Sequence, residues 1–181
     1  MRCGSALDAA EDWLATVGLH VNLGREPIDD LWLQAARVAG YDFLPLTTDA
    51  DIVEEAAAMK NCLRTYGDDL AHNCSRLWSM RRDGRRVATL LVATGRGEPL
   101  LDVVELRAAE NKEVSPEVSW AARQWVHRHD LMWIDTKPRK WRTVPLDRAT
   151  WIAFWRPYWL AKRRIPDWLP LSPSRKAFDA L

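Results

Sequence analysis

The residues of this chain best suited to chemistry are one cysteine, one tyrosine and three polar residues further along. Cys62 and Tyr66 are four residues apart, a spacing that places two side chains on one face of a helix. Glu105, Arg107 and Asn111 stand at the end of a β-prone run. If the five met in one pocket, Cys62 would be a nucleophile or Glu105 a base, and Arg107 would hold an anionic group. One hypothesis for the protein is therefore an enzyme built on this pocket.

The same residues have structural interpretations. A free cysteine is commonly a small buried apolar residue, and Cys62 would then pack on a sheet. Glu105, Arg107 and Asn111 can instead fix the loop after the strand, with Asn111 bonded to local backbone. Spacing alone leaves both interpretations open.

The histidines and the three cysteines do not form a metal-binding pattern. His127 and His129 are two residues apart, so they do not share a helical face, and both fit the C-terminal end of a helix dipole. His20 is expected in a loop without a partner. The cysteines have no Cys-x-x-Cys spacing, and no Gly-rich phosphate loop, Gly-x-Ser-x-Gly or His-Glu-x-x-His motif occurs. We expect no metal and no cofactor.

Charge is distributed unevenly along the 181 residues. Residues 1–74 carry 5 Lys+Arg against 13 Asp+Glu, whereas residues 120–181 carry 13 against 5. Many of the eleven tryptophans fall in the basic part. Cations bind phosphates and exposed aromatic rings stack on bases, so this part predicts a sequence-nonspecific nucleic-acid surface. The predicted phosphate-binding residues are Lys137, Arg139, Lys140, Arg142, Arg148, Lys162, Arg163 and Arg164.

Other interpretations of the charged segments remain open. Trp151, Trp155 and Trp159 are spaced by four, which also fits a helical stripe that packs on the core. The acidic residues around 49–55 are typical of a solvated helix face. An acidic protein surface would suit the basic segment as well as nucleic acid does, and a lipid surface suits it least.

The apolar pattern predicts helices first and strands second. Helices are expected from Ser5 to about Val17, where Gly18 would end the helix, from Pro27 to Gly40, and over residues 49–66, where Gly67 would end the helix. Residues 77–106 contain three short β-prone runs separated by Asp83-Gly84 and by residues 95–99, which indicates an antiparallel meander. Further helices are expected over residues 115–129, capped by Ser115, and over 147–164, with a kink at Pro157, and residues 131–134 are a possible fourth strand.

The order of these elements resembles the PcfJ-like family of plasmid and phage proteins. The matching positions are Cys62, Tyr66, Trp78-Ser79, Thr89 and Glu105 through Asn111, within residues 50–130. The chain departs from the family at Glu105 and at Ala108-Ala109, where members commonly carry Gln and Gly. The resemblance implies a DNA-linked accessory role beside the conjugation machinery of a mobile element.

The predicted fold is α+β, a small antiparallel meander of three or four strands covered by helices. An N-terminal helical pair would occupy residues 1–48, the PcfJ-like core residues 49–136, and a basic Trp-rich helical extension, packed on the core, residues 137–181. The predicted function is a nucleic-acid-associated accessory protein of a mobile genetic element. The alternatives are the enzyme pocket above and a protein–protein interaction module. Without an apolar run of membrane-spanning length or a leader pattern, we expect a cytoplasmic protein with reduced thiols and no membrane partner.

Overall fold

A five-stranded antiparallel sheet organises the first part of the chain. The computed structural model describes residues 3–24, 27–94, 101–129 and 147–162. The strands lie in sequence order and are β1 (Ala36–Val38), β2 (Tyr41–Pro45), β3 (Ser75–Arg82), β4 (Arg85–Thr94) and β5 (Leu101–Arg107). The helices are α1 (Cys3–Leu23), α2 (Asp49–Met59), α3 (Gly67–Ala71), α4 (Pro116–His127) and α5 (Arg148–Lys162), with a 3₁₀ helix at Leu63–Tyr66. The α+β prediction is confirmed.

The hairpin of β3 and β4 forms because its turn residues allow a tight reversal. Asp83 and Gly84 have φ angles of 50° and 77°, as a two-residue hairpin turn of the mirror-image type requires. Arg82 pairs with Arg85 on either side of this turn, and the pairing continues to Ser75 opposite Ala93. The antiparallel meander over residues 77–106 is therefore confirmed, although residues 95–100 between β4 and β5 lie outside the described residues.

One face of the sheet is covered by α4. Ser115 caps this helix by accepting a hydrogen bond from the Val118 amide. Trp125 stacks on Phe43 with ring centroids 4.5 Å apart and meets Trp78 edge-on at 4.7 Å. All three rings are fully buried, so this face is a dry aromatic core.

The opposite face is covered by α1 and α2. Leu19 of α1 and Ile52 of α2 are buried with Leu77 of β3 and Leu91 of β4. Thr48 begins α2 with a reciprocal capping box, in which its side chain and that of Asp51 each accept the other residue's backbone N–H. Strands β3 and β4 are thus buried on both sides.

The predicted N-terminal helical pair is present, but one of the helices expected before residue 49 does not form. The pair consists of α1 and α2, and α2 is the helix predicted to begin at residue 49. The helix predicted from Pro27 to Gly40 is absent: residues 27–35 form neither helix nor strand, and residues 36–40 form β1 and the turn to β2, in which Ala39 and Gly40 have φ angles of 51° and 82°. The sheet therefore has five strands among the described residues, not three or four.

Two glycines predicted to end helices do not do so. Gly18 lies inside α1, which continues to Leu23. Gly67 has right-handed helical backbone angles at the start of α3, and α2 ends earlier, at Lys60 with a left-handed φ of 51°. Gly67 is needed for space, since a Cβ there would lie 2.9 Å from the Leu19 Cα atom.

The chain divides into two compact units, Met1–Thr143 and Val144–Leu181. In the second unit, α5 continues through Pro157 as one helix, and the kink expected at Pro157 stays a prediction. Asp147 caps it by accepting the Thr150 amide, and the rings of Trp151 and Trp155 meet edge-on at 5.8 Å. The expected strand at residues 131–134 lies outside the described residues.

Replacing Gly18 or Gly67 with alanine should show that only Gly67 is needed for close packing. Gly67→Ala should lower the free energy of unfolding by roughly 1–3 kcal/mol, because the new methyl group overpacks the contact with Leu19. Gly18→Ala meets no atom within 4 Å and should raise it by up to about 1 kcal/mol through helix propensity. Urea unfolding of both variants measures the difference. Equal effects would contradict the close approach.

Candidate functional site

The Cys62 end of the site is placed by the way α2 terminates. The left-handed turn at Lys60 redirects the backbone, and the Asn61 amide N–H still bonds to the Ala56 carbonyl. Asn61 becomes buried, whereas Cys62 is exposed and precedes the 3₁₀ helix. Tyr66 ends that 3₁₀ helix and is half-buried. The prediction of one helix over residues 49–66 is therefore wrong beyond Met59, and Cys62 and Tyr66 do not share the face of one α-helix.

The opposite wall is placed by a bulge in β5. Leu91 pairs with Glu105, but the next residue of β4, Val92, pairs with Val103, so Val104 is an extra residue. Val103 packs against the aromatic core on the α4 side, and Glu105 lines a cleft on the other side. A regular strand would have put both side chains on one face.

The loop after β5 completes the cleft and is tied to the end of α2. Glu110 and Asn111 both have left-handed φ angles, 62° and 57°. The Glu110 carboxylate lies 2.7 Å from Lys112 Nζ and 3.6 Å from Lys60 Nζ. These lysines, the nearer one first, lower the Glu110 pKa. Backbone strain of this kind is costly and is concentrated at functional sites, where the surroundings hold it in place.

The resulting cleft brings together all five predicted residues. It is partly open to solvent, and its volume is about 10 Å³, about the space that one water molecule needs. Its lining consists of Asn61, Cys62, Leu63, Tyr66, Thr89, Leu90, Leu91, Glu105, Arg107 and Asn111. Elements far apart in sequence thus meet at one place, as the pocket hypothesis requires.

A chain of hydrogen bonds crosses the cleft and is centred on Glu105. The Tyr66 hydroxyl donates to Glu105 Oε2, and Arg107 Nε donates to Glu105 Oε1 at 3.3 Å. Burial, followed by the hydrogen bond to Glu105 and the negative charge of Glu105, raises the Tyr66 pKa well above its ordinary value. The Tyr66 hydroxyl is therefore protonated at neutral pH and donates a hydrogen bond. Each carboxylate oxygen of Glu105 already accepts one hydrogen bond.

A buried polar layer lies beneath the cleft. Asn61 Nδ2 donates to Thr89 Oγ1 at 3.0 Å, and Thr89 pairs with Ser79 across the β3–β4 ladder. Ser79 accepts from Arg81 Nε at 3.0 Å, and Arg81 lies 3.4 Å from Glu55. This is a continuous run of polar contacts from the cleft to α2.

Glu55 is buried, although the acidic pattern around residues 49–55 predicts a solvated helix face. Its side chain is only 1% exposed, whereas that of its neighbour Glu54 is 75% exposed. Glu55 Oε2 accepts from Arg86 Nε at 2.7 Å, and this hydrogen bond is the largest cause of the raised Arg86 pKa. The signal was available, because Glu55 continues the buried spacing of Ile52, Ala56 and Met59 along α2.

The structure decides the alternative interpretation of Cys62, and it describes only two of the predicted phosphate-binding residues. Cys62 is exposed, so the buried-packing interpretation of it is wrong. Of the predicted phosphate-binding residues, Arg148 is exposed on α5, and Lys162 is the last residue of that helix. The remaining ones, Lys137, Arg139, Lys140, Arg142, Arg163 and Arg164, lie outside the described residues.

The histidines are used in the structure for local contacts. His129 Nε2 lies 3.1 Å from the Gln34 amide nitrogen and His129 Nδ1 lies 3.1 Å from the Trp125 carbonyl oxygen, while His127 is exposed. His20 lies inside α1 and not in a loop, and its Nδ1 is 2.6 Å from Asp49 Oδ2, so the expectation that it lacks a partner is wrong. In residues 3–24, 27–94, 101–129 and 147–162, no group of three or more His, Cys, Asp or Glu side chains is arranged to hold a metal ion.

Comparison with known proteins adds no relative. No protein-family model matches the chain, and no curated protein or solved structure is significantly similar to it. Among the helices described, none is long and apolar enough to cross a membrane.

Removing the Tyr66 hydroxyl should alter how stability depends on pH. An unfolded tyrosine has a pKa near 10, and the folded value for Tyr66 is higher, so above about pH 10 the unfolded chain loses a proton that the folded protein keeps. Stability from this group is therefore complete below about pH 10 and is lost as pH rises further. At neutral pH, Tyr66→Phe should cost roughly 1–3 kcal/mol, the range for hydrogen bonds to charged groups, and this cost should shrink at alkaline pH.

Urea unfolding of both proteins near neutral pH and near pH 11 makes the measurement, at pH values on either side of the tyrosine pKa of about 10. Tyr41, whose pKa burial also raises, is present in both proteins, so its contribution cancels from the difference. A cost that is the same at the two pH values would contradict the coupling between Tyr66 and Glu105.

Proposed function

We propose that the protein acts on a small polar molecule in this cleft and that the Cys62 thiol is the group that reacts with it. The observation that supports this is that two distant segments, residues 62–66 and 105–111, bring five polar or reactive side chains to one opening: Cys62, Tyr66, Glu105, Arg107 and Asn111. A residue needed only for packing would be buried, whereas Cys62 is exposed at the wall of the cleft.

The chemical step can be written simply. The Cys62 sulfur forms a bond to an electrophilic carbon of the ligand and releases its proton to solvent, while the leaving group departs with the bonding electron pair. The chain's other groups position the ligand. Tyr66 and Arg107 hold Glu105 in one orientation, so the wall of the cleft opposite Cys62 is fixed before a ligand binds.

Selective alkylation tests the proposal, with Cys74 as an internal control. Cys74 is also exposed but does not line the cleft, so it reports the intrinsic reactivity of each reagent. In a Cys3→Ser background, a panel of neutral chloroacetamides of different shapes should alkylate Cys62 and Cys74 in different orders of rate. The best reagent should prefer Cys62 by about tenfold or more, equivalent to about 1.4 kcal/mol of binding.

Peptide-level mass spectrometry over time measures both rates in the same sample. Glu105→Gln should reduce the preference for Cys62 without changing the rates at Cys74. If the two cysteines rank the reagents in the same order, Cys62 is only a surface thiol and the proposal fails.

A second candidate function rests on charge. The Val144–Leu181 unit exposes Arg148 and Arg156 on α5, within the part of the chain that carries 13 Lys+Arg against 5 Asp+Glu. These cations suit contacts to a phosphate backbone. Together with the resemblance to PcfJ-like proteins, they support a cytoplasmic accessory protein of a mobile genetic element that binds nucleic acid without base specificity.

Binding measured against salt tests this function. Affinity for a DNA duplex should fall as salt rises, with a slope that loses roughly 0.9 per phosphate contact removed. The triple change of Arg139, Lys140 and Arg142 to Glu should weaken binding to all sequences alike. Arg85, Arg123 and Arg128, which are exposed elsewhere, changed together to Glu give the matched control with the same change in charge. Equal losses in the two triples, or affinity insensitive to salt, would contradict the assignment.

A further inference from the structure

The hydrogen-bond donors and acceptors that line the cleft indicate which kind of ligand would fit it. Both carboxylate oxygens of Glu105 already accept hydrogen bonds, from Tyr66 and Arg107. Several hydrogen-bond donors on the same wall have no acceptor among the described residues. A ligand that pairs with these donors must bring acceptors.

Thr89 supplies the first of these donors and is 4% exposed. The orientation of the Asn61 amide follows from its two contacts: Oδ1 accepts from the Leu63 amide at 3.4 Å, so Nδ2 donates to Thr89 Oγ1 at 3.0 Å. The Thr89 oxygen is thus an acceptor, and its hydroxyl hydrogen has no acceptor among the described residues. Because Thr89 lines the cleft, that hydrogen is available to a bound ligand.

Arg107 supplies the second donor group directly opposite. Thr89 and Arg107 are paired in the β4–β5 register, which places their Cβ atoms about 4.5–5.5 Å apart on the same face. Only Nε of Arg107 is bonded, to Glu105, so the two terminal nitrogens have no partner within the described part of the chain. Asn111 adds a side-chain amide held at the cleft by the left-handed backbone, also without a bonded partner in the described ranges.

We propose that the cleft binds an anionic oxygen group of its ligand, a carboxylate or a phosphate, through the Thr89 hydroxyl, the Arg107 guanidinium and the Asn111 amide, next to Cys62. The inference rests on the proposed function of the cleft and names the class of ligand that it takes. The neutral donors of Thr89 and Asn111 orient the oxygens of the ligand. The Arg107 guanidinium supplies a positive charge and two parallel N–H groups, which suit a carboxylate or a phosphate.

Paired reagents of different charge test the proposal. Iodoacetate and iodoacetamide deliver the same carbon to sulfur and release the same iodide, but only iodoacetate carries a carboxylate. The ratio of their rates at Cys62 should exceed the ratio at Cys74 by about tenfold, a difference of about 1.4 kcal/mol. Inorganic phosphate and acetate are added separately as competitors. Protection of Cys62 by one and not by the other tells which anion the cleft prefers.

Three variants assign the effect to the named donors. Arg107→Gln should bring the ratio at Cys62 down to that at Cys74, and it changes a half-exposed side chain, so the fold should tolerate it. Thr89→Val should reduce the ratio in part, and Asn111→Ala serves in its place if the valine variant does not fold. Arg123→Gln is the control for general positive charge, because Arg123 is exposed and lines a neighbouring groove that shares Glu105 and Arg107 with the cleft but does not line the cleft itself.

The outcomes separate the two proposals. If Cys62 selects among neutral chloroacetamides but shows the same iodoacetate to iodoacetamide ratio as Cys74, the cleft binds ligands and the anion site is wrong. If the excess at Cys62 survives in Arg107→Gln or disappears equally in Arg123→Gln, the attraction comes from the general surface charge, and the anion site is again wrong. Loss of selectivity among the neutral reagents as well would overturn both proposals.

Discussion

The structure depends on a sheet whose inner strands are covered on both faces. Strands β3 and β4 cannot expose either side to water, so a polar group on them that lacks a partner within the protein is costly. On the α4 side, Trp78 and Met80 pack against Trp125 in an apolar core, and the buried indole N–H of Trp78 has no hydrogen-bond partner within the described residues. On the α2 side the strands carry Ser79, Thr89 and Arg81, and the helix layer supplies Asn61 and Glu55 to bond with them.

Glu55 is the buried charge on which this need for partners acts most strongly. A carboxylate with a side chain 1% exposed is stable only with cations beside it, and two arginines from neighbouring strands provide them. The ion pairs join the middle of α2 to the β3–β4 hairpin, so the helix end is held at a defined height above the sheet. The position of Asn61 and Cys62, just after that helix, follows from this attachment.

The cleft lies where this polar layer reaches the edge of the described sheet. Strand β5 is the last strand, and its bulge at Val104 lets Val103 enter the aromatic core while Glu105 faces the helix layer. The loop after β5 then returns over the end of α2 through the contact of Glu110 with Lys60. A site between a helix end and a strand end is thereby supported on both sides by packed elements, which is the arrangement that precise positioning of reactive groups requires.

Local sequence determined much of this protein. The Asp83-Gly84 turn and the Ser115 cap act over a few residues, and each predicted its element correctly. Five of the residues that line the cleft were also predicted from the sequence, by their chemistry and by the PcfJ-like resemblance. Tertiary structure decided what no short window contains: that Cys62 is exposed, that two arginines from neighbouring strands pair with Glu55, and that residues 36–38 form a strand rather than continue a helix. Those outcomes depend on contacts between distant segments, since a bulge, a buried charge or an edge strand is stable only when its partner across the fold is present.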